Sequence, residues 1–117
     1  MKVIIAGGRD FDNYVLLLES VISSNFDITE IVSGGARGAD LVGELLASDL
    51  EIPLTRFPAD WTKYGRAAGP IRNSEMANYA DALIAMWDGE SSGTKNMIAQ
   101  ATKQGLGVYI ARYDRTY

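Results

Sequence analysis

The sequence contains no cysteine and no histidine. The first absence excludes disulfides, thiolate metal sites and cysteine nucleophiles. The second removes the commonest general base and the commonest metal ligand. Chemistry, if there is any, falls to carboxylates, Arg, Lys, Tyr or hydroxyls. The carboxylates are scattered and form no metal-ligand cluster, so neither a metal nor a cofactor is expected. No apolar run approaches the ~20 residues of a membrane span. Strand-like residues begin at Lys2 and nothing before them reads as a signal peptide. A cytoplasmic protein with no membrane partner is the expectation.

What is present suits one domain over residues 1–117, with an apolar fraction of 47%, enough for a core. The net charge of −4 argues against coating nucleic acid with the whole surface. A local basic cleft is a different matter. Arg9, Arg37, Lys63, Arg66, Arg72 and Lys95 all fall in or just after loops that follow predicted strands.

Five short apolar runs alternate with helical patterns. Strands are expected near 2–6, 28–32, 52–57, 82–87 and 107–111. The first is nearly continuous in apolar residues, as a central parallel strand covered on both faces should be. Helix one is capped by Asp12 or Asn13. Helix two runs from about Arg37 to Leu50, and helix three opens with Pro70 at its first position. Helix four runs from Gly93 or Thr94 to Gln104, with Gly105 as its stop. Residues 58–69 have no clear period and carry Trp61, Lys63, Tyr64 and Arg66; the two aromatics either cover the sheet edge or face a ligand. The polar tail 112–117 reads as peripheral. Alternation of this kind implies a parallel sheet with helices on both faces, an α/β three-layer fold. Ligands bind such sheets beyond the carboxyl ends of the strands.

Three turns meet at that edge: Gly7-Gly8-Arg9-Asp10, Ser33-Gly34-Gly35-Ala36-Arg37-Gly38-Ala39-Asp40, and Asp88-Gly89-Glu90-Ser91-Ser92-Gly93-Thr94-Lys95. Glycines permit positive φ and close approach of another molecule, and a helix N-terminus favours an anion. Arg37 adds a fork suited to phosphate or carboxylate. A phosphate is therefore expected on the amides of 34–38, with Arg9 and Arg72 as clamps and Gly93 and Thr94 on a second phosphate. Asp40 either caps helix two or accepts from a ribose hydroxyl. No turn has the dinucleotide fingerprint or the spacing of a Walker A loop.

The eight-residue turn from Ser33 to Asp40, the run Gly69-Pro70-Ile71-Arg72-Asn73 with Met76, and Asp88-Gly89 followed by Ser92-Gly93-Thr94 resemble the SLOG superfamily. The likeness is to its short, single-domain, YpsA-related branch and covers nearly the whole chain. It implies a Rossmann-like fold with strand order 3-2-1-4-5, a nucleotide-type ligand and homodimerisation. The superfamily includes DprA, whose Rossmann-like domain binds single-stranded DNA, and the LOG phosphoribohydrolases, which release a base from a nucleoside monophosphate. The three turns and the motifs of the resemblance together give the expected ligand residues Gly7, Gly8, Arg9, Ser33, Gly34, Gly35, Ala36, Arg37, Gly38, Asp40, Arg72, Asn73, Asp88, Ser92, Gly93 and Thr94. Trp61 and Tyr64 are candidates to stack on a base. The LOG pattern places a glutamate three residues after the Thr, where this chain has Met97. Binding or sensing of a nucleotide without chemistry is thus the favoured expectation. The alternatives are N-glycoside cleavage, with Glu75, Asp40 or Asp88 as the carboxylate, and, less favoured, single-stranded DNA binding through Trp61, Lys63, Tyr64 and Arg66.

Overall fold

The computed structural model of the chain describes residues 1–114. Its five strands are β1 (Lys2–Gly7), β2 (Glu30–Ser33), β3 (Leu54–Arg56), β4 (Ala82–Trp87) and β5 (Gly107–Arg112). They form one sheet in the order β3-β2-β1-β4-β5, and every pairing is parallel. The helices are α1 (Tyr14–Ser24), α2 (Ala39–Asp49), a single turn α3 (Trp61–Tyr64), α4 (Ala68–Tyr79) and α5 (Ser92–Lys103). The expected α/β Rossmann-like architecture and strand order are present.

β1 is central, and alternation along it separates two cores. Val3 and Ile5 face Leu17 of α1 and Leu46 of α2, together with Ile31 and Ile84. Ile4 faces Met76 of α4 and Met97 of α5, together with Val32 and Leu83. All eleven of these side chains are at most 1% exposed. Both sheet faces are thus covered by helices, and β1 and β4 read as continuous apolar runs for that reason.

Boundaries depart from expectation where hydrogen bonds overrule the apolar pattern. Ile28 and Thr29 lie outside β2, whose ladder on β1 starts with Lys2 opposite Glu30. The Thr29 amide is given instead to the Met1 carbonyl at 2.9 Å. Pro53 precedes β3 and contributes only its carbonyl, which accepts from the Ile31 amide. Helix α2 starts at Ala39, not Arg37, because its N-cap is Gly38 at φ +81°. Pro70 is the third residue of α4 rather than the first. An N–H in the first turn has no intrahelical acceptor, so proline is tolerated there. The stretch 58–69 contains α3 and a 3₁₀ turn at Gly65–Ala67, joined directly to α4. Asn13, not Asp12, caps α1 by accepting from the Leu16 amide. Gly105, at φ +78°, follows α5 as its stop.

The start of the tail is not peripheral. Arg112 completes β5, and Tyr113 packs edge-on against the buried Phe11, with ring centroids 5.0 Å apart. Residues 115–117 of the expected tail lie outside the described residues.

The tightest backbone approach joins the turn after β1 to the N-terminus of α2. The Gly8 carbonyl accepts from the Ala39 amide at 3.1 Å, and a Cβ on Gly38 would stand 2.3 Å from that carbonyl oxygen. Gly38→Ala therefore combines an unfavourable φ with a backbone clash. Denaturant unfolding is expected to show a loss of at least about 2 kcal/mol; a change within ~0.5 kcal/mol would mean the two turns are not packed this way.

Candidate functional site

The carboxyl ends of β1 and β4, the N-termini of α2 and α5, and the start of α4 enclose a cleft of about 1020 Å³. This is the edge at which a doubly wound sheet presents its binding crevice. Gly7 lets the strands close beneath it, since a Cβ there would lie 2.2 Å from the Met86 carbonyl oxygen. Gly8 lies against Tyr113, whose hydroxyl donates to Asp10 Oδ1 at 2.7 Å and braces the turn that carries Arg9.

One wall is the second turn. Ala36, Arg37 and Asp40 line the cleft, whereas Ser33, Gly34, Gly35 and Gly38 do not. Ser33 is fully buried: its hydroxyl donates to Glu44 Oε2 at 2.8 Å and accepts from the Gly35 amide at 3.0 Å. Glu44 in turn holds Arg56 through Nε and Nη2 at 3.0 and 2.7 Å. The arginine hydrogen bonds, opposed by burial, hold the Glu44 carboxyl below its ordinary value. The serine is thus a strut between β2 and α2.

Asp40 is 6% exposed and makes no side-chain cap for α2. Its Oδ2 accepts from the Ala36 amide at 3.2 Å. Burial pushes its pKa up to about 6, against the pull of the Ala36 amide and the Arg72 charge. Arg72 turns inward from α4 and donates from Nη1 to the Gly34 carbonyl at 2.6 Å and from Nε to Asn73 Oδ1 at 3.1 Å. Burial lowers the Arg72 pKa; Asp40 opposes that shift and the Arg9 charge adds to it.

The opposite wall is the N-terminus of α5. Asp88 Oδ1 accepts from the amides of Glu90 and Ser91 at 2.9 and 2.8 Å, which shapes the turn entering the helix. The N-cap, Ser91, makes no side-chain bond to the first amides; its hydroxyl lies 3.2 Å from that of Thr94. A Cβ at Gly93 would meet nothing within 4 Å, so the backbone there is open to the cleft. Asn73 ties this end to α4, its Nδ2 donating to Asn96 Oδ1 at 3.0 Å and to the Gly93 carbonyl at 3.3 Å. Uncapped amides carrying the positive end of the helix dipole suit an anion.

Trp61 and Arg66 form the outer rim; Trp61 is 50% exposed, and a Cβ on Gly69 would lie 3.4 Å from its ring. Tyr64 lies outside the lining, with Lys63 Nζ 5.0 Å from its ring centroid. Glu75 is exposed on α4 and also lies outside. The cleft therefore gathers Gly7, Gly8, Arg9, Ala36, Arg37, Asp40, Trp61, Arg72, Asn73, Asp88, Ser92, Gly93 and Thr94 from the expected set. The cleft also takes in Asn96, which the sequence reading missed, and Met76 and Glu90, which it placed in a motif and a turn but not among the ligand residues. Asn96, two residues after Thr94 on α5, carried a signal: a polar residue in the first turns of a helix opening a Gly-rich site. Among the described residues no group of acidic side chains could hold a metal ion, and no helix is long and apolar enough to cross a membrane.

A family model described as YspA, cpYpsA-related SLOG family matches residues 1–64. The Gene 61 protein of Mycobacterium phage D29 is 36% identical over an alignment of 117 residues, covering 92% of this chain and 93% of the phage protein. The X-ray structure of DNA processing protein A (DprA) from Streptococcus pneumoniae superposes with a TM-score of 0.72 at 19% identity, over 93% of this chain. This chain spans 49% of that one, about half its length.

Asp40 makes stability depend on pH. Its pKa is higher folded than unfolded, so the folded state binds the extra proton. The Asp40 contribution is most favourable below about pH 4 and is lost as pH rises to about 6, a change of up to about 3 kcal/mol. Asp40→Asn removes this slope. Urea unfolding at several pH values should show the variant gaining on the wild type by that order between pH 4 and about 7; a constant difference would contradict the buried carboxylate.

Proposed function

The chain belongs to the YspA, cpYpsA-related SLOG family, and from that premise we propose that its cleft binds or senses a nucleotide or a nucleotide-derived small molecule. One observation carries the reading: the open N-terminus of α5 faces Arg9 and Arg72 across a cleft of about 1020 Å³ whose rim holds Trp61. In this reading a phosphate takes the amides of Ser92, Gly93 and Thr94, with Arg9 and Arg37 supplying charge. Asp40 accepts from a ribose hydroxyl, and Trp61 stacks on the base. The volume falls at the top of the range usual for small-molecule sites.

Binding without cleavage is favoured. An N-glycosidic bond breaks through an oxocarbenium-like state that a nearby carboxylate stabilises. Met97 stands where the LOG pattern has its glutamate, and its side chain is 1% exposed, packed in the core. Of the three carboxylates that the sequence offers for cleavage, Glu75 is outside the cleft and Asp88, which lines it, shapes its own turn. Asp40 is the candidate for the hydrolytic alternative. Single-stranded DNA has less support, because Lys63 and Tyr64 do not line the cleft. A second copy of the chain is the proposed protein partner. Val15 and Ile22 of α1 and Leu41 and Leu45 of α2, each more than half exposed, give it an apolar surface.

The direct test is mass spectrometry of small molecules released from protein purified under native conditions. A nucleotide is expected. Calorimetry should then show that Arg9→Ala weakens binding by roughly 10–100-fold, as for loss of a charge-assisted hydrogen bond. Failure to find a co-purified nucleotide, with no affinity better than about millimolar for a panel of nucleoside monophosphates, would overturn the reading. Incubation with the same panel should release no free base; turnover near 1 s⁻¹, in the ordinary enzyme range, would favour the hydrolytic alternative.

A further inference from the structure

The glycine-rich turn after β2 has the sequence of an anion cradle, yet the amides of its first half are engaged from within. The Gly35 amide donates to Ser33 Oγ at 3.0 Å and the Ala36 amide to Asp40 Oδ2 at 3.2 Å. The Gly34 N–H adds a smaller pull on the same carboxylate. Asp40 stands where an incoming phosphate would have to sit. We propose that Asp40 is a specificity-determining residue, its carboxylate filling the cradle of residues 34–36 as the chain's own anion and keeping an exogenous phosphate out of that turn.

The surroundings are built for this pair. A Cβ on Gly34 would stand 2.2 Å from Arg72 Nη1 and 2.8 Å from Asp40 Oδ2, so the glycine makes room for both. Arg72 reaches in from α4, Arg9 from the turn after β1 lies near enough to repel it, and Glu44 on α2 adds a like charge to Asp40. A phosphate arriving at this wall meets a carboxylate that is ionised at pH 7.5 and already balanced by Arg72. At the other wall it meets amides with no side-chain cap and an open Gly93. The two glycine-containing turns are therefore not equivalent: one takes the ligand's phosphate, and the other presents an acceptor to a hydroxyl. Ligands with a single phosphate group at one end are selected over those that need a phosphate at both walls.

This inference rests on the reading of the cleft as the site of a phosphate-bearing ligand. Inorganic phosphate is the probe, measured by equilibrium dialysis of the full chain against labelled phosphate at pH 7.5. Wild type should saturate at one phosphate per chain. Asp40→Ala empties the cradle and should double the bound phosphate, and Asp40→Ser, a second emptied variant, should do the same. Asp40→Asn keeps an acceptor on the Ala36 amide and should stay at one. Two phosphates on the wild type, or no gain in the emptied variants, would overturn the proposal. A wild type that binds none while the emptied variants bind one would uphold it and remove the phosphate position on α5. No binding to any of the four proteins would remove both.

Discussion

The site depends on the backbone contact between Gly8 and the N-terminus of α2. The Gly8 carbonyl receives the Ala39 amide, and Gly38 turns at φ +81° with no room for a side chain. Two turns from different strands are thereby held at van der Waals distance. This contact also consumes one of the amides that a free helix N-terminus would offer to a ligand. With Ser33 and Asp40 taking the amides of Gly35 and Ala36, the second turn is satisfied largely from within. Its rigidity comes from the features that suggest a phosphate loop in the sequence.

The cleft is consequently asymmetric. On the α2 side a buried carboxylate and a half-buried guanidinium neutralise each other; on the α5 side the amides face the cleft with no side chain across them. Asn73 bridges the sides, accepting from Arg72 and donating to Asn96 and the Gly93 carbonyl. An arginine held by the Gly34 carbonyl and by Asn73 keeps a fixed direction, and such preorganisation lowers the cost of binding. Tyr113 and Trp87 brace the outer turns: the tyrosine hydroxyl donates to Asp10, and the indole N–H donates to the Ser91 carbonyl at 3.1 Å.

Much of this was legible in the residues. Continuous apolar runs located β1 and β4 because both faces of a central parallel strand are buried. Gly105 was legible as a helix stop through its own chemistry, and the start of α1 was legible as Asp12 or Asn13. Strand order came through family resemblance, since local patterns do not record which strands are neighbours. Sequence reading failed where a side chain's partner is remote in the chain. Arg72 and Glu75, three apart on α4, have the spacing of a surface pair, but Arg72 turns to Gly34, 38 residues away. Ser33 reads as a ligand hydroxyl in the sequence, but in the fold it donates to Glu44, eleven residues further on. The helical turn at Trp61–Tyr64 lies too close to Pro58 and Gly65 to show a period.

The central claim, that a nucleotide lies across this edge with its phosphate on α5, is tested most directly by amide and indole NMR shifts during a titration with adenosine monophosphate. The account predicts the largest changes at the amides of Ser92, Gly93 and Thr94, with smaller ones at Arg9, Arg37 and the Trp61 indole. Residues of α1, on the opposite core, should be unaffected. Shifts clustered on α1, or none at millimolar nucleotide, would contradict it.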